Sequence, residues 1–231
     1  MSNLDRSAER VKKITAVAVF AAMAYVIHFV HIPVAFLNLD FKDVVMTIGG
    51  MYFGPLAGLA MTVLVPLLEL PTSETGVYGL IMNVLGSTTF VVVASVIYKF
   101  KTKLWGAILA LCAAALSMTA VMMLANLFVT PYYMGVEQTA VVGMIPTLLL
   151  PFNAIKAILN AALTLCLYKP VTRVLKKSGF TRGGAVETAA QEGGAGSLRS
   201  ILVLVISAAV AIAALLIIFL VLGGKIAIDL N

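Results

Sequence analysis

Asn153, Lys156 and Asn160 stand in the run Pro151-Phe152-Asn153-Ala154-Ile155-Lys156-Ala157-Ile158-Leu159-Asn160, inside an apolar stretch long enough to cross a bilayer. At roughly 100° per residue the three share one narrow sector of a helix, with Thr164 a turn further along the same side, while Leu159 points away from the centre of that stripe. A lysine near the hydrocarbon centre costs roughly 2.5–3.5 kcal/mol on insertion scales, so a stripe of this kind usually faces a protein interior or a wet cavity and marks a solute path. The competing reading lets Lys156, about 8 Å from the start of the segment, snorkel its ammonium up to the headgroups. Asn126, in the preceding apolar segment, adds another amide. An amide carries an acceptor and two donors and an ammonium donates only, so together they suit the polar edge of a neutral heterocycle. Met118, Met122 and Met123, with Phe128, Tyr132 and Tyr133 beyond them, would fit a flat apolar ring system, although at helical spacing the same residue types also build an ordinary core.

Other chemistries lack their residues. No Walker-type phosphate loop, HExxH or GxSxG occurs, so the sequence reads as a non-enzyme with no ATPase motif and no cofactor of its own. His28 and His31 have no neighbouring partners at metal-ligand spacing, and no metal site is expected. Cys112 and Cys166 lack CxxC spacing.

The elements that must carry these residues are membrane helices. Of 231 residues, 61% are hydrophobic and 11% charged, and the mean hydropathy is +1.07. Such a composition excludes an ordinary water-soluble domain, and repeated runs of about 20 apolar residues predict an all-α integral membrane protein rather than a barrel. The formal charge of +6 does not mark a nucleic-acid binder, because the basic residues cluster beside apolar segments without interleaved aromatics. They act as topology signals. Arg6, Arg10, Lys12 and Lys13 place the N-terminus in the cytoplasm before a first helix at about 14–30.

His31–Phe41 then reads as an outer loop that could cap a cavity, with Asp40 and Asp43 as helix caps. A short second helix (43–53) turns at Gly54-Pro55 into a third (56–70), whose Glu69 is expected at the interface. A fourth span (77–98) and a fifth (104–129) follow, separated by Lys99, Lys101 and Lys103; residues 130–150 read as a second part of the cap. The sixth span (151–171) is followed by Lys169, Arg173, Lys176, Lys177 and Arg182. All Lys and Arg except Lys42, Lys156 and Lys225 fall on the predicted cytoplasmic side. Residues 1–177 thus form a six-helix membrane domain, to which the resemblance described next assigns substrate binding, 178–200 a Gly-rich flexible cytoplasmic linker, and 201–222 an accessory transmembrane helix isolated by that linker.

Several of these residues carry a family resemblance over residues 10–177. They are the basic start with an Ala-rich first helix, Leu39-Asp40-Phe41-Lys42-Asp43, Gly49-Gly50 through Phe53-Gly54-Pro55-Leu56-Ala57-Gly58, Asn126 ahead of Pro131-Tyr132, and Pro151-Phe152-Asn153-Ala154-Ile155-Lys156. Together they resemble the riboflavin-specific S-components of energy-coupling-factor (ECF) vitamin transporters. The resemblance implies a six-helix bundle in a bacterial cell membrane that captures riboflavin from outside beneath its first loop. Its implied partners are the flavin, membrane lipid, a transmembrane coupling subunit and two cytoplasmic ATPases, with no nucleic acid. It assigns Asn126, Asn153 and Lys156 to the ligand, Leu39 and its neighbours to the covering loop, and Ala18 and Ala22 to docking on the coupling subunit. The chain departs from the family pattern at the fourth helix, where Gly76-Val77-Tyr78-Gly79-Leu80-Ile81-Met82-Asn83 replaces a Gly-x-Gly-Glu-Leu-Ala-Asn sequence. The extra helix lies outside the pattern. An S-component for another vitamin or a flavin precursor, or a non-transporting membrane module whose polar stripe only packs helices, are the alternatives.

Overall fold

The computed structural model describes residues 3–73, 75–177, 198–220 and 227–228. Its order is α1 (Asn3–His28), β1 (Val30–Val34), β2 (Leu37–Asp40), α2 (Lys42–Phe53), α3 (Pro55–Glu69), α4 (Gly76–Phe100), α5 (Leu104–Met134), α6 (Gln138–Met144), α7 (Leu150–Lys177), α8 (Leu198–Leu220) and β3 (Ala227–Ile228). Among the described residues, six helical segments are long and apolar enough to cross a membrane: 7–28, 55–72, 76–100, 104–134, 138–175 and 201–220. The protein is therefore a multi-pass membrane protein. Twelve residues of α2 rise only about 18 Å, and every one of them except Phe53 is buried. A helix so enclosed finds its environment in its neighbours rather than in lipid, which is why it can be short.

The turn from α2 to α3 depends on two residue types. Gly54 has φ +105°, a conformation side chains resist, and Pro55 occupies the first turn of α3, where its missing N–H costs nothing. The hairpin then closes tightly. A Cβ on Gly50 would lie 3.2 Å from the Gly58 Cα and 3.1 Å from Val91 on α4, and one on Gly58 would lie 2.9 Å from the same Val91. Two glycines facing each other let α2, α3 and α4 approach as closely as small-residue membrane interfaces do.

Small-residue spacing has two different outcomes. Ala110 and Ala114 are fully buried where α5 packs on α4, whereas Ala18 and Ala22 are exposed on α1, whose buried side is Ala16, Phe20, Ala21 and Ala24. The sequence motif alone does not separate these cases; the packing does.

Two stretches differ from expectation. His31–Phe41 is a β-hairpin rather than a loop, with His31 opposite Asp40, Ile32 opposite Leu39, Pro33 opposite Asn38 and Val34 opposite Leu37. Its burial alternates along β1, so Ile32 and Val34 face an apolar cluster while His31 and Pro33 face the other way. Residues 130–150 are mostly helical: α5 continues to Met134, ends at Gly135 with φ +63°, and α6 passes through a π-turn at Ile145–Leu149 into α7. The predicted linker falls largely outside the described residues.

Replacing Gly50 with leucine should force α2 away from α3 and α4 and destabilise the protein by about 1–3 kcal/mol. Thermal unfolding in detergent measures this against Gly143→Ala, whose added methyl meets nothing within 4 Å; equal midpoints for the two variants would show that the close approach is not required.

Candidate functional site

The polar stripe of α7 divides in two. Asn153 and Lys156, both buried, line a cavity of about 350 Å³ beneath the β-hairpin, within the ~300–1,000 Å³ range of small-molecule sites. Asn160 and Thr164 lie below it: Asn160 Nδ2 donates to Asp43 Oδ2 at 3.1 Å, and Thr164 Oγ1 donates to the Asn160 carbonyl at 2.7 Å. The stripe's upper half is available to a solute and its lower half holds the bundle together.

Asn126 joins the cavity from α5. Its Nδ2 donates to the Met122 carbonyl at 2.7 Å and its Oδ1 accepts from Thr130 Oγ1 at 2.8 Å. Asn153 Nδ2 likewise donates to the Leu149 carbonyl at 2.8 Å. These bonds fix each amide in place and occupy only part of its capacity, since an Asn has two donor hydrogens and two acceptor lone pairs. The remainder can serve a ligand. Met118 and Met122 form apolar wall, and Phe36, Tyr78 and Tyr133 meet above it at ring-centroid distances of 6.5 Å and 6.3 Å about Tyr133.

Leu39 is placed differently. It is fully buried in the cluster behind the hairpin, with Ile32, Val34, Phe152 and Leu159, while Asn38 and Asp40 on the same strand line the cavity. A strand sends alternate side chains to opposite faces, so Leu39 holds the cover from behind. Leu159, off the centre of the polar stripe, belongs to that cluster rather than to a lipid-facing surface.

The residues that sequence reasoning missed are charged. Asp40 and Asp43 do not cap α2; Phe41 occupies the N-cap and no side-chain capping bond forms. Asp40 Oδ2 instead lies 3.4 Å from Lys156 Nζ and 3.5 Å from Lys42 Nζ. Lys42, counted as an outside charge, is fully buried and donates to Glu69 Oε2 at 2.5 Å. Glu69 is buried rather than interfacial, and His28 Nδ1 stands 3.5 Å from its Oε1. Ser87 Oγ donates to Asp43 Oδ1 at 2.5 Å. Burial raises the Asp40 carboxyl, and the ammonium groups of Lys156 and Lys42 outweigh that effect, lowering it to about 2; Asp40 is an anion at neutral pH. A signal was present in the sequence, for three charges within Asp40–Asp43 beside an apolar helix must find partners if buried.

Among the described residues no group of three or more His, Cys, Asp or Glu is placed to hold a metal ion. A helical membrane bundle with a covered cavity of amides, one ammonium and aromatic rings defines a solute-capturing membrane subunit. A family model described as "ECF transporter, substrate-specific component" matches residues 12–168, and the chain belongs to that family. These are transporter components that bind a substrate and are not enzymes. The chain is 30% identical over 176 residues to "Riboflavin transporter RibU" of Staphylococcus aureus (strain TCH60), covering 72% of this chain and 93% of that protein. It is 27% identical over 163 residues to "Riboflavin transporter FmnP" of Bacillus subtilis (strain 168), covering 64% and 86%. A solved structure described as "Structure and mechanism of the S component of a bacterial ECF transporter" superposes with a TM-score of 0.63 at 30% identity, over 72% of this chain and 99% of that one.

Breaking a buried pair by removing one partner strands the other. Lys42→Met should therefore cost about 3–5 kcal/mol, while Lys42→Met combined with Glu69→Met should cost less than the sum of the two single changes. A double-mutant cycle on thermal unfolding measures the coupling, and strict additivity would show that the pair contributes nothing as a pair.

Proposed function

We propose that this protein captures riboflavin from outside a bacterial plasma membrane and delivers it for ATP-driven uptake, working with a transmembrane coupling subunit and two cytoplasmic ATPases. The observation that carries this reading is the convergence of Asn126, Asn153 and Lys156 on one cavity under the hairpin, in a chain about 30% identical to a riboflavin transporter. Amides with spare donors and acceptors suit the carbonyl and imide edge of the ring, the Met and aromatic walls suit its faces, and Asp40 and Asp43 supply acceptors for hydroxyls. The N-terminus lies in the cytoplasm on this reading, because Arg10, Lys12 and Lys13 precede α1's apolar length. Leu39 contributes by seating the cover, and the exposed Ala18 and Ala22 form the face that meets the coupling subunit.

Purified protein stripped of ligand and mixed with riboflavin should bind it, read as quenching of flavin fluorescence. Asn153→Ala and Lys156→Ala each remove one hydrogen-bond partner, at roughly 1–3 kcal/mol, and should weaken binding about tenfold or more. Ile158, 45% exposed on the same helix, is the control, and Ile158→Ala should change affinity little. No flavin binding by the unaltered protein, with binding of another vitamin, would move the chain to a different solute. Equal losses from all three substitutions would signify general damage to α7.

Ala18→Leu and Ala22→Leu should leave riboflavin affinity within about twofold and reduce cellular uptake at least about tenfold, because bulk on an exposed small-residue face blocks close helix approach. Uptake at the normal rate in both variants would remove these alanines from the docking face.

A further inference from the structure

The family model matches residues 12–168, and α8 lies beyond that match. From Ile201 onward α8 is apolar except for Ser207, and its buried positions Ser207, Ala211, Ala214 and Ile218 recur every three or four residues on one side, while Leu216 and Leu220 are exposed. That stripe packs along α7, and Ala211, Ala214 and Ile218 belong to the same closed cluster as Ile32, Val34 and Leu39 of the hairpin. Past α8 the chain returns a second time: β3 pairs with β1, Val30 opposite Ile228 and His31 opposite Ala227, so that β1 becomes the central strand of the order β2-β1-β3.

A two-stranded hairpin is marginal on its own and gains stability from a third strand or from packing on a helix. Here the chain supplies both, on the face and edge of the hairpin that the cavity does not use. We propose that α8 and β3 form a built-in brace that holds the hairpin closed over the cavity and slows escape of the bound solute, with Ile218 as its positioning residue. Ile218 does not touch the cavity; it acts through the cluster that seats Ile32 and Leu39. The proposal rests on the flavin-binding reading for its kinetic consequence, but not for its structural one.

The test uses the full chain and two readouts. Hydrogen exchange of the β1 and β2 amides in ligand-free protein reports hairpin opening, and stopped-flow fluorescence reports riboflavin release. Ile218→Ala should raise both exchange and release about fivefold or more while changing the association rate less than about twofold, since loosened packing acts on the lifetime of the complex. Ile218→Val should restore most of the difference, and Leu216→Ala should match the unaltered protein. Ala227→Pro with Ile228→Pro, which removes both β3 amide donors and leaves α8 unchanged, should also speed exchange in β1. Unchanged exchange in both the Ile218→Ala and the double-proline variants overturns the brace, as does equal acceleration by Leu216→Ala. Absence of riboflavin binding in unaltered protein overturns the ligand assignment instead, and the exchange measurement still decides the brace.

Discussion

Buried charge organises the end of this bundle that lies beneath the hairpin. Lys42 and Lys156 cannot remain in an apolar bundle without anions, and Asp40, placed between them at 3.5 Å and 3.4 Å, links α2 to α7 through a strand. Glu69 extends the network to α3, Asp43 reaches Ser87 on α4 and Asn160 on α7, and His28 touches it from α1. Four helices, α2, α3, α4 and α7, are therefore bound to one another by groups whose separation would leave ions unpaired in low dielectric. Such a network contributes little net stability compared with apolar packing of the same volume, but it penalises every arrangement in which its members part. It fixes which helix faces which, and the amides of the cavity inherit their positions from that arrangement.

The hairpin connects this network to the apolar core because its two faces differ. His31, Pro33, Asn38 and Asp40 meet the cavity, while Ile32, Val34 and Leu39 meet α7 and α8. A shift of register by one residue would exchange these faces, placing leucine in the cavity and a carboxylate in the apolar cluster. Asp40 and Leu39 thus reinforce each other from opposite sides: the ion pairs hold the strand at one face and apolar burial holds it at the other. The alternation explains why Leu39, adjacent to a cavity residue in sequence, lies behind the cover.

Much of this was legible in the sequence where one physical rule acted alone. Long apolar runs gave the spanning helices, the Gly54-Pro55 pair gave the turn between α2 and α3, and the spacing of Asn153 and Lys156 gave two residues of one cavity wall. Reading failed where burial depended on contacts distant in the chain. Asp40 and Asp43 have the residue type and place of helix caps, and only the approach of Lys156 and Asn160, more than a hundred positions away, makes them network members. Glu69 near a helix end reads as interfacial until Lys42 is brought to it. The hairpin was hidden for another reason, since its alternation is short and interrupted by Pro33. α8 offered no polar stripe, and its packing side is marked only by the small residues Ser207, Ala211 and Ala214, a spacing shared with the exposed Ala18 and Ala22 of α1.

The cavity's polar groups also bear on the kind of solute it accepts. Three carboxylates and two ammonium groups make up the network, and among the described residues Asp40 Oδ1 has no hydrogen-bond partner although it is buried at the cavity wall. An acceptor left so exposed to desolvation gains from a donor, and a solute bearing hydroxyl or N–H groups provides one. An anionic group at the same place would meet the Asp40 carboxylate and compete with it for Lys156. The amides of Asn126 and Asn153 impose no sign of charge. On the function proposed above, a neutral solute with a donor at one end would satisfy Asp40 Oδ1 and leave in place the ion pairs that hold the helices together.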